Sequence, residues 1–256
     1  METSLKNDFI TTLNNKNVIL FWSGGFESTF LLEFIIKHQI YLFCKITVIA
    51  VIFPQEIYTN NKIKNLANYF KDKNINLVIL EPREIISHDY EYSSACIKCK
   101  KIRRDIILNY LTNTAHLLEK ENVFLTGHNL DDLASYTLEL ISMQFDKKCK
   151  DTKMRFLECS NKFLKLFSYS DKISFYRPLI FYSKNDIKNI KEDIDCLNII
   201  KKKCYWSNQR KRTLQKYIDD SRLDLSIQNV KSIFLKNFTM PEDKEFREIP
   251  FDTYLM

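Results

Sequence analysis

Val18-Ile19-Leu20-Phe21-Trp22-Ser23-Gly24-Gly25-Phe26-Glu27-Ser28-Thr29 is the stretch that decides the fold of this 256-residue chain. Its five leading apolar residues predict a buried strand, and the run from Thr29 to Lys37 predicts an amphipathic helix. Two of only three glycines in the chain form the turn between them. A strand, a turn of small residues and a helix start present backbone N–H groups to an anion. The stretch therefore predicts a phosphate-binding turn, with a plain strand-to-helix turn as the alternative.

The third glycine, Gly127, belongs to a second motif, Thr126-Gly127-His128-Asn129-Leu130-Asp131-Asp132. This motif also directly follows a strand-like run, Val123 to Leu125. Ligands of parallel sheets bind outside the carboxyl ends of the strands. Both glycine motifs are therefore predicted to face one site.

Strand-like and helix-like patterns alternate along the first two thirds of the chain. The further predicted strands are Lys45 to Phe53, Ile75 to Leu80 and an edge strand at Ile173 to Tyr176, and the predicted helices are Asn61 to Lys71, Cys96 to Leu118 and Asp131 to Met143. Such alternation predicts an α/β fold with a doubly wound, mostly parallel sheet. Residues 144–172 have no clear pattern.

The last quarter of the chain predicts a helical extension. A helix begins at Asp186 with Ser183 or Asn185 as its cap, and two more are predicted at Thr213 to Asp219 and Ile227 to Phe238. We therefore expect an α/β domain at residues 1–180 and a basic, helical region at residues 181–256.

Composition limits the class of protein. A hydrophobic content of 45% is ample for a core, and an aromatic content of 13% excludes a disordered chain. Residues 1–16 are polar, and no run reaches the roughly 18 apolar residues that span a bilayer. We expect a cytoplasmic protein with no membrane association. The net charge of +7 suits a polyanionic partner, although a lysine-rich surface alone would also produce it.

The seven cysteines form no obvious disulfide framework. Cys96-Ile97-Lys98-Cys99 has metal-binding spacing, and cations follow it at Lys100, Lys101, Arg103 and Arg104. A C-x-x-C pair alone fits half a zinc site, a redox pair or an iron–sulfur site. No second C-x-x-C exists, so three cysteines with an open position fit better than a closed zinc site.

The blocks together resemble a known family. Ser23 to Ser28 resembles the SGGxDS pyrophosphate-binding loop of the PP-loop ATPases, which cleave ATP between the α- and β-phosphates. The cysteine block resembles the C-x-x-C-x-x-x-R-R block of the tRNA 2-thiocytidine synthases (TtcA family). Gly127 to Asp132 is similar to their GH-x-x-DD block and Arg177-Pro178-Leu179 to their RPL block. Cys204 then falls where that family has its third cysteine.

The resemblance implies an iron–sulfur, ATP-dependent tRNA thiolase that uses ATP, Mg²⁺ and a [4Fe–4S] cluster. Carried over residue by residue, the cluster ligands are Cys96, Cys99 and Cys204. The implied cofactor-binding residues are Ser23, Gly24, Gly25, Glu27, Ser28, Thr29, Gly127, His128, Asp131 and Arg103. The implied Mg²⁺ carboxylates are Glu27 and Asp132, with Asp131 as a further candidate. The implied catalytic residues are Glu27, Asp132 and the three cysteines.

The resemblance implies tRNA or another RNA and a sulfur donor as partners, and a homodimer as in relatives. RNA binding also follows from charge, because seven of the sixteen residues from Lys201 to Lys216 are basic and enclose Tyr205 and Trp206. One departure stands out, since Glu27 replaces the family's aspartate. The alternatives are a PP-loop enzyme that adenylates another substrate with zinc or no metal, and a non-catalytic nucleotide- or RNA-binding relative.

Overall fold

The structure is a computed structural model. It describes residues 2–52, 67–68, 70–71, 73, 75–82, 92–114, 121–144, 160–161, 163–191 and 229–230, without the side chains of residues 92–97, 100, 139–144 and 191. Among the described residues, no helix is long and apolar enough to cross a membrane.

Six strands and five α-helices have defined bounds in the described part of the chain. The strands are β1 (Asn17–Trp22), β2 (Lys45–Val51), β3 (Ile75–Leu80), β4 (Asn122–Leu125), β5 (Leu166–Ser170) and β6 (Ile173–Tyr176). The helices are α1 (Glu2–Leu13), α2 (Phe26–Lys37), α3 (Tyr92–Asn113), α4 (Leu130–Gln144) and α5 (Lys184–Lys191), with a short 3-10 helix at Ile40–Leu42.

The strands form one sheet in the order β3-β2-β1-β4-β6-β5. All neighbouring pairs are parallel except β5 with β6. The first strand, β1, lies between β2 and β4, with Trp22 opposite Ala50 and Leu20 opposite Leu125. The carboxyl ends of these three strands therefore meet at one edge of the sheet. The α/β, mostly parallel sheet predicted from the sequence is confirmed.

Helices cover both faces of the sheet because β1 is apolar on both sides. Val18, Leu20 and Trp22 belong to a first core cluster that includes α1, α2 and α5. Ile19 belongs to a second core cluster beneath α3. This alternation follows from the period of two residues along a strand. Each fully buried large apolar side chain contributes roughly 1.5–3 kcal/mol, so both clusters stabilise the sheet that holds the site.

The first turn of α2 begins directly after the glycine pair. Gly25 is its N-cap residue with φ −74° and ψ 167°. Every residue from Ser28 to Ile36 is buried, which places this helix between the sheet and α1 and α5. A helix buried on all sides holds its N-terminus in a fixed position relative to β1.

Three expectations about elements need correction. Ile173 to Tyr176 is not an edge strand, because β6 pairs with β4 on one side and with β5 on the other. The strand that lies outside it, β5, was not predicted, and neither was α1. Helix α2 begins at Phe26 and α3 at Tyr92, three and four residues before their predicted starts.

Other expectations fall mostly on residues outside the description. Of the helix predicted at Asn61 to Lys71, residues 67–68 and 70–71 are described and are helical. Of the helices predicted beyond residue 191, only residues 229–230 are described, and they are helical. The helix after residue 180 is α5, and its Ile187 and Ile190 are buried in the first core cluster.

Candidate active site

The glycine pair after β1 forms a tight turn held by two serine hydroxyls. Gly24 has φ of 67°, a left-handed conformation that favours glycine. Ser28 Oγ donates to the Gly25 carbonyl at 3.2 Å and lies 3.0 Å from Ser23 Oγ. The Gly25 N–H in turn donates to Ser23 Oγ at 3.2 Å. The turn is therefore organised by its own side chains before any ligand binds.

The Gly127 motif touches this turn. A Cβ added at Gly127 would lie 3.1 Å from Glu27 Cβ and 3.2 Å from the Ser28 backbone nitrogen. Only glycine lets the loop after β4 approach the first turn of α2 so closely. The structure thus brings the two glycine motifs into contact.

A cavity of about 280 Å³ opens at the carboxyl ends of β1, β2 and β4. The β1 turn and α2 contribute Ser23, Glu27 and Ser28 to its wall, and the loop after β4 contributes Gly127 and His128. Glu27 and Ser28 belong to the first turn of α2, so the N-terminal end of this helix lies at the cavity, where the helix dipole favours a phosphate group.

Two carboxylates line the cavity, those of Glu27 and Asp132. Burial raises the pKa of Glu27 above its ordinary value, and the negative charge of Asp132 raises it further. Asn129 links the pair, because its Nδ2 donates to Glu27 Oε1 at 3.4 Å and its backbone N–H to Asp132 Oδ2 at 3.3 Å. Paired acidic oxygens of this kind fit a hard divalent cation such as Mg²⁺.

In the described part of the chain, four predicted cofactor-binding residues do not line the cavity: Gly24 and Gly25, which form the turn, and Thr29 and Asp131, which are buried. Thr29 is buried, and its Oγ1 accepts a hydrogen bond from Trp22 Nε1 at 3.1 Å. Asp131 is also buried, and its Oδ2 accepts from the Lys184 N–H at 2.6 Å. The Asp131 carboxylate thus lies at the N-terminus of α5, where the helix dipole favours a negative charge.

Comparison with known proteins supports the fold. No family model and no curated protein matches the chain. Among solved structures, the U34-tRNA thiolase NcsA from Methanococcus maripaludis, with its [4Fe–4S] cluster, is similar at 19% identity and a TM-score of 0.59. The similarity covers 96% of this chain and 79% of that one. The chain has the PP-loop ATPase fold.

Two further solved structures are similar at lower scores. The NH3-dependent NAD synthetase from Campylobacter jejuni, in complex with nitrate, has a TM-score of 0.47 and 14% identity, and the match covers 94% of this chain and 98% of that one. The NMN synthetase from Francisella tularensis has a TM-score of 0.49 and 10% identity, with 98% of each chain covered.

Helix α3 connects the cysteine motif to the PP-loop cavity. Arg103 lines the cavity, and its Nη1 donates to the Val51 carbonyl at the end of β2. Cys99 lies one helical turn before Arg103 and packs, half-buried, against the second core cluster. The cysteine motif is thus on the helix that closes one side of the cavity.

The structure describes one of the three predicted cluster ligands in full. Cys96 lies in α3 three positions before Cys99, but its side chain is outside the description, as is the whole of Cys204. Within the described residues, no group of three or more His, Cys, Asp or Glu side chains could hold a metal ion. Cys44 has a different environment from Cys99. It is buried, its thiol donates to the Ile40 carbonyl, and burial raises its pKa to about 12.

His128 has a defined place beside the PP-loop. Its Nδ1 lies 3.0 Å from Thr126 Oγ1, a contact that fixes the orientation of the ring. The ring centroid lies 6.1 Å from that of Tyr136, which also lines the cavity. Neither Tyr136 nor Asn129 was predicted as a site residue. The signal was available for Tyr136, since it follows Asp132 by one helical turn.

Proposed function

We propose that this protein is an ATP-dependent, AMP-forming tRNA sulfurtransferase. The observation that carries the proposal is the single cavity shared by the PP-loop, the Gly127 motif and the helix of the cysteine motif. The solved structure with the higher TM-score is a tRNA thiolase with a [4Fe–4S] cluster, and this supports the choice of RNA as the acceptor. The basic segments around Cys99 and Cys204 support it independently.

ATP would bind with its phosphates on the PP-loop. The N-terminus of α2 and the hydroxyls of Ser23 and Ser28 would face the pyrophosphate, and Glu27 and Asp132 would hold Mg²⁺. When bound, Mg²⁺ neutralises the charge that develops on the departing pyrophosphate. The raised pKa of Glu27 supports this role, because a cation between two close carboxylates relieves their repulsion. The longer Glu27 side chain still reaches Asn129, so the replacement of aspartate keeps the carboxylate at the cavity.

The acceptor reaction would take place in two steps. The C2 oxygen of a tRNA pyrimidine first attacks the α-phosphorus of ATP, so that an O–P bond forms and pyrophosphate leaves. A sulfide then attacks C2, and AMP leaves with the former carbonyl oxygen. His128 lies next to the PP-loop, where it can donate a hydrogen bond to a phosphate or to that oxygen; a purely structural role is the alternative.

Cys96, Cys99 and Cys204 would hold the cluster. Cys99, the one of these three whose side chain is described, has donor chemistry that fits a cluster. It is a half-buried thiol outside any disulfide, and cationic side chains flank it in sequence. When bound by three cysteines, a [4Fe–4S] cluster supplies one iron without a protein ligand, at which sulfide can be delivered. A sulfur donor and a homodimer in the cytoplasm complete the proposal.

The test is release of pyrophosphate from ATP in the presence of unmodified tRNA, together with mass spectrometry of the digested tRNA. We expect release that depends on tRNA and a nucleoside in which sulfur replaces oxygen. Asp132→Asn keeps an oxygen that can accept a hydrogen bond from Asn129 but removes the negative charge that would bind Mg²⁺. We expect it to lower the rate at least 100-fold, which corresponds to about 2.7 kcal/mol of activation free energy. Release with a small molecule instead of tRNA, or no release at all, would contradict the proposal.

A further inference from the structure

The cavity extends across three strand ends, and its two ends differ. At one end, Ile49 and Val51 of β2 and Ile107 of α3 form an apolar wall, beside Arg103, whose Nη1 donates to the Val51 carbonyl. At the other end, beyond the PP-loop, lie His128 and Tyr136. Adjacent strands are about 4.8 Å apart. Since β1 separates β2 from β4, the two ends are about 10 Å apart, which leaves room for a different ring system at each.

The His128–Tyr136 end has the properties of a stacking site for a base. The two ring centroids are 6.1 Å apart and the ring planes are inclined by 48°. Tyr136 is half-buried, so part of its ring remains open to the cavity. The contact with Thr126 holds the His128 ring in place. Aromatic faces of this kind bind unstacked bases of RNA, whatever the base.

The position of Tyr136 places this end beside the reacting groups. Asp132 and Tyr136 are four residues apart in α4 and therefore lie on the same face of the helix. Asp132 shares the cavity with Glu27 and the PP-loop. A base stacked on Tyr136 would have its edge near the carboxylates and phosphates, as transfer of AMP to a base oxygen requires.

We infer that Tyr136 and His128 bind the acceptor base of the RNA, while the apolar wall of Ile49, Val51 and Ile107 receives the adenine of ATP. The inference rests on the proposed function and specifies where its RNA substrate enters the cavity. A target pyrimidine would be turned out of its stack and placed against Tyr136. The other assignment, with adenine on Tyr136, makes the opposite prediction for each end of the cavity.

Variants of the full-length protein at the two ends distinguish these assignments. Tyr136→Leu removes the aromatic face but keeps a large apolar side chain with good helix propensity, and Tyr136→Phe keeps the face without the hydroxyl. Ile107→Ala shortens the wall at the other end. For each variant we would measure kcat/KM for tRNA-dependent pyrophosphate release and the Kd of a non-hydrolysable ATP analogue.

We expect Tyr136→Leu to lower kcat/KM for tRNA about tenfold, which is the scale of one lost base stack, while the Kd of the ATP analogue changes less than about twofold. Tyr136→Phe, which keeps the aromatic face, should lose clearly less activity than Tyr136→Leu. Ile107→Ala should weaken binding of the ATP analogue several-fold. Weaker ATP binding in Tyr136→Leu, equal losses in the leucine and phenylalanine variants, or unchanged kcat/KM would each overturn the inference.

The wild type separates failure of this inference from failure of the proposed function. If the wild type binds the ATP analogue but releases no pyrophosphate with tRNA, the proposed function is wrong and the inference with it. If the wild type is active and Tyr136→Leu is equally active, the inference alone is wrong. Thermal unfolding of Tyr136→Leu and Tyr136→Phe shows whether both variants are folded. Comparison of the two folded variants then isolates the effect of the aromatic face.

Discussion

Glu27 is the residue at which this chain departs from the SGGxDS loop, and its surroundings explain what the change does. The carboxylate lies in the cavity with Asp132, and both burial and that neighbouring charge favour its protonated form. Without a cation, an ionised Glu27 costs free energy in the folded state. A divalent ion between the two carboxylates removes this cost, so the fold and the ion are coupled through Glu27.

Glu27→Gln should therefore change how stability depends on pH. The pKa of Glu27 is raised in the folded state, so its contribution is full below the ordinary value of 4.5 and is lost as pH rises through the folded value. Glutamine stays neutral. We expect the free energy of unfolding of Glu27→Gln, relative to the wild type, to increase from pH 4.5 toward neutral pH. Urea denaturation over this range measures it.

Mg²⁺ provides the control for this prediction. At neutral pH the ion should stabilise the wild type more than Glu27→Gln, because only the wild type offers it two carboxylates. If the difference in free energy of unfolding between the two proteins does not depend on pH, the pKa of Glu27 is not raised in the folded state. Equal stabilisation by Mg²⁺ would show that the ion binds elsewhere.

At the scale of single residues, sequence patterns located the site better than they assigned its members. The glycine motifs led directly to Ser23, Ser28 and the Gly127 contact. Thr29 and Asp131 belong to these motifs, yet each lies in a helix and is buried rather than lining the cavity. The direction of a side chain on a helix depends on what the helix packs against, which a motif does not contain.

At the scale of elements, the contact between the loop after β4 and the first turn of α2 determines the shape of the cavity. A methyl group at Gly127 would meet the Glu27 Cβ and the Ser28 backbone nitrogen, and backbone atoms have little freedom to move aside. At Gly25 a methyl group would meet only Ser23 Oγ at 3.1 Å and Glu27 Oε2 at 3.9 Å. A side chain at Gly127 should therefore destabilise the fold more than a side chain at Gly25.

Gly127→Ala should lower the free energy of unfolding by about 1–3 kcal/mol, the usual cost of overpacking. Gly25→Ala is the matched control. Its φ of −74° suits alanine, so we expect a change within about 1 kcal/mol. Urea denaturation of both variants tests the difference. Equal stability of the two variants would mean that the loop after β4 can withdraw from α2.

Some strands and helices were predicted from sequence patterns, and others were not. Four strands, β1, β3, β4 and β6, were predicted to within one residue, because each is a short, largely apolar run next to a clear turn. Helix α1 was missed although Leu5, Phe9 and Leu13 recur every four residues and are buried, since the polar residues between them hide the pattern. The edge strand β5 exposes alternate side chains, and its pairing with β6 arises from the tertiary structure.

At the scale of the whole molecule, the sheet brings together groups that are far apart in sequence. The PP-loop follows β1, the carboxylate of Asp132 follows β4, and the cysteine helix α3 reaches the cavity through Arg103. The first helix beyond residue 180, α5, packs into the core of the α/β domain. If Cys99 and Cys204 bind one cluster, the basic segment at Lys201 to Lys216 must meet the basic segment of the cysteine helix. The first of these segments lies outside the described residues, so their meeting stays a prediction.

The cluster assignment predicts a division among the cysteines that one experiment can test. Cys99 and Cys204 are proposed ligands, whereas Cys44 is buried in the first core cluster and has a pKa raised to about 12, so its thiol stays protonated. After anaerobic purification we expect a brown wild type that contains iron and sulfide. Cys99→Ala and Cys204→Ala should each lose most of the iron, and Cys44→Ala should keep it.

Cys44→Ala also controls for general loss of structure. Removal of a small buried side chain costs on the order of 1 kcal/mol, so this variant can be less stable than the wild type and still hold iron. A colourless wild type loaded with zinc would contradict the cluster. Iron retained by Cys204→Ala would show that the third ligand lies elsewhere, and the predicted meeting of the two basic segments would lose its basis. Loss of iron from Cys44→Ala as well would mean that the colour reports folding rather than ligation.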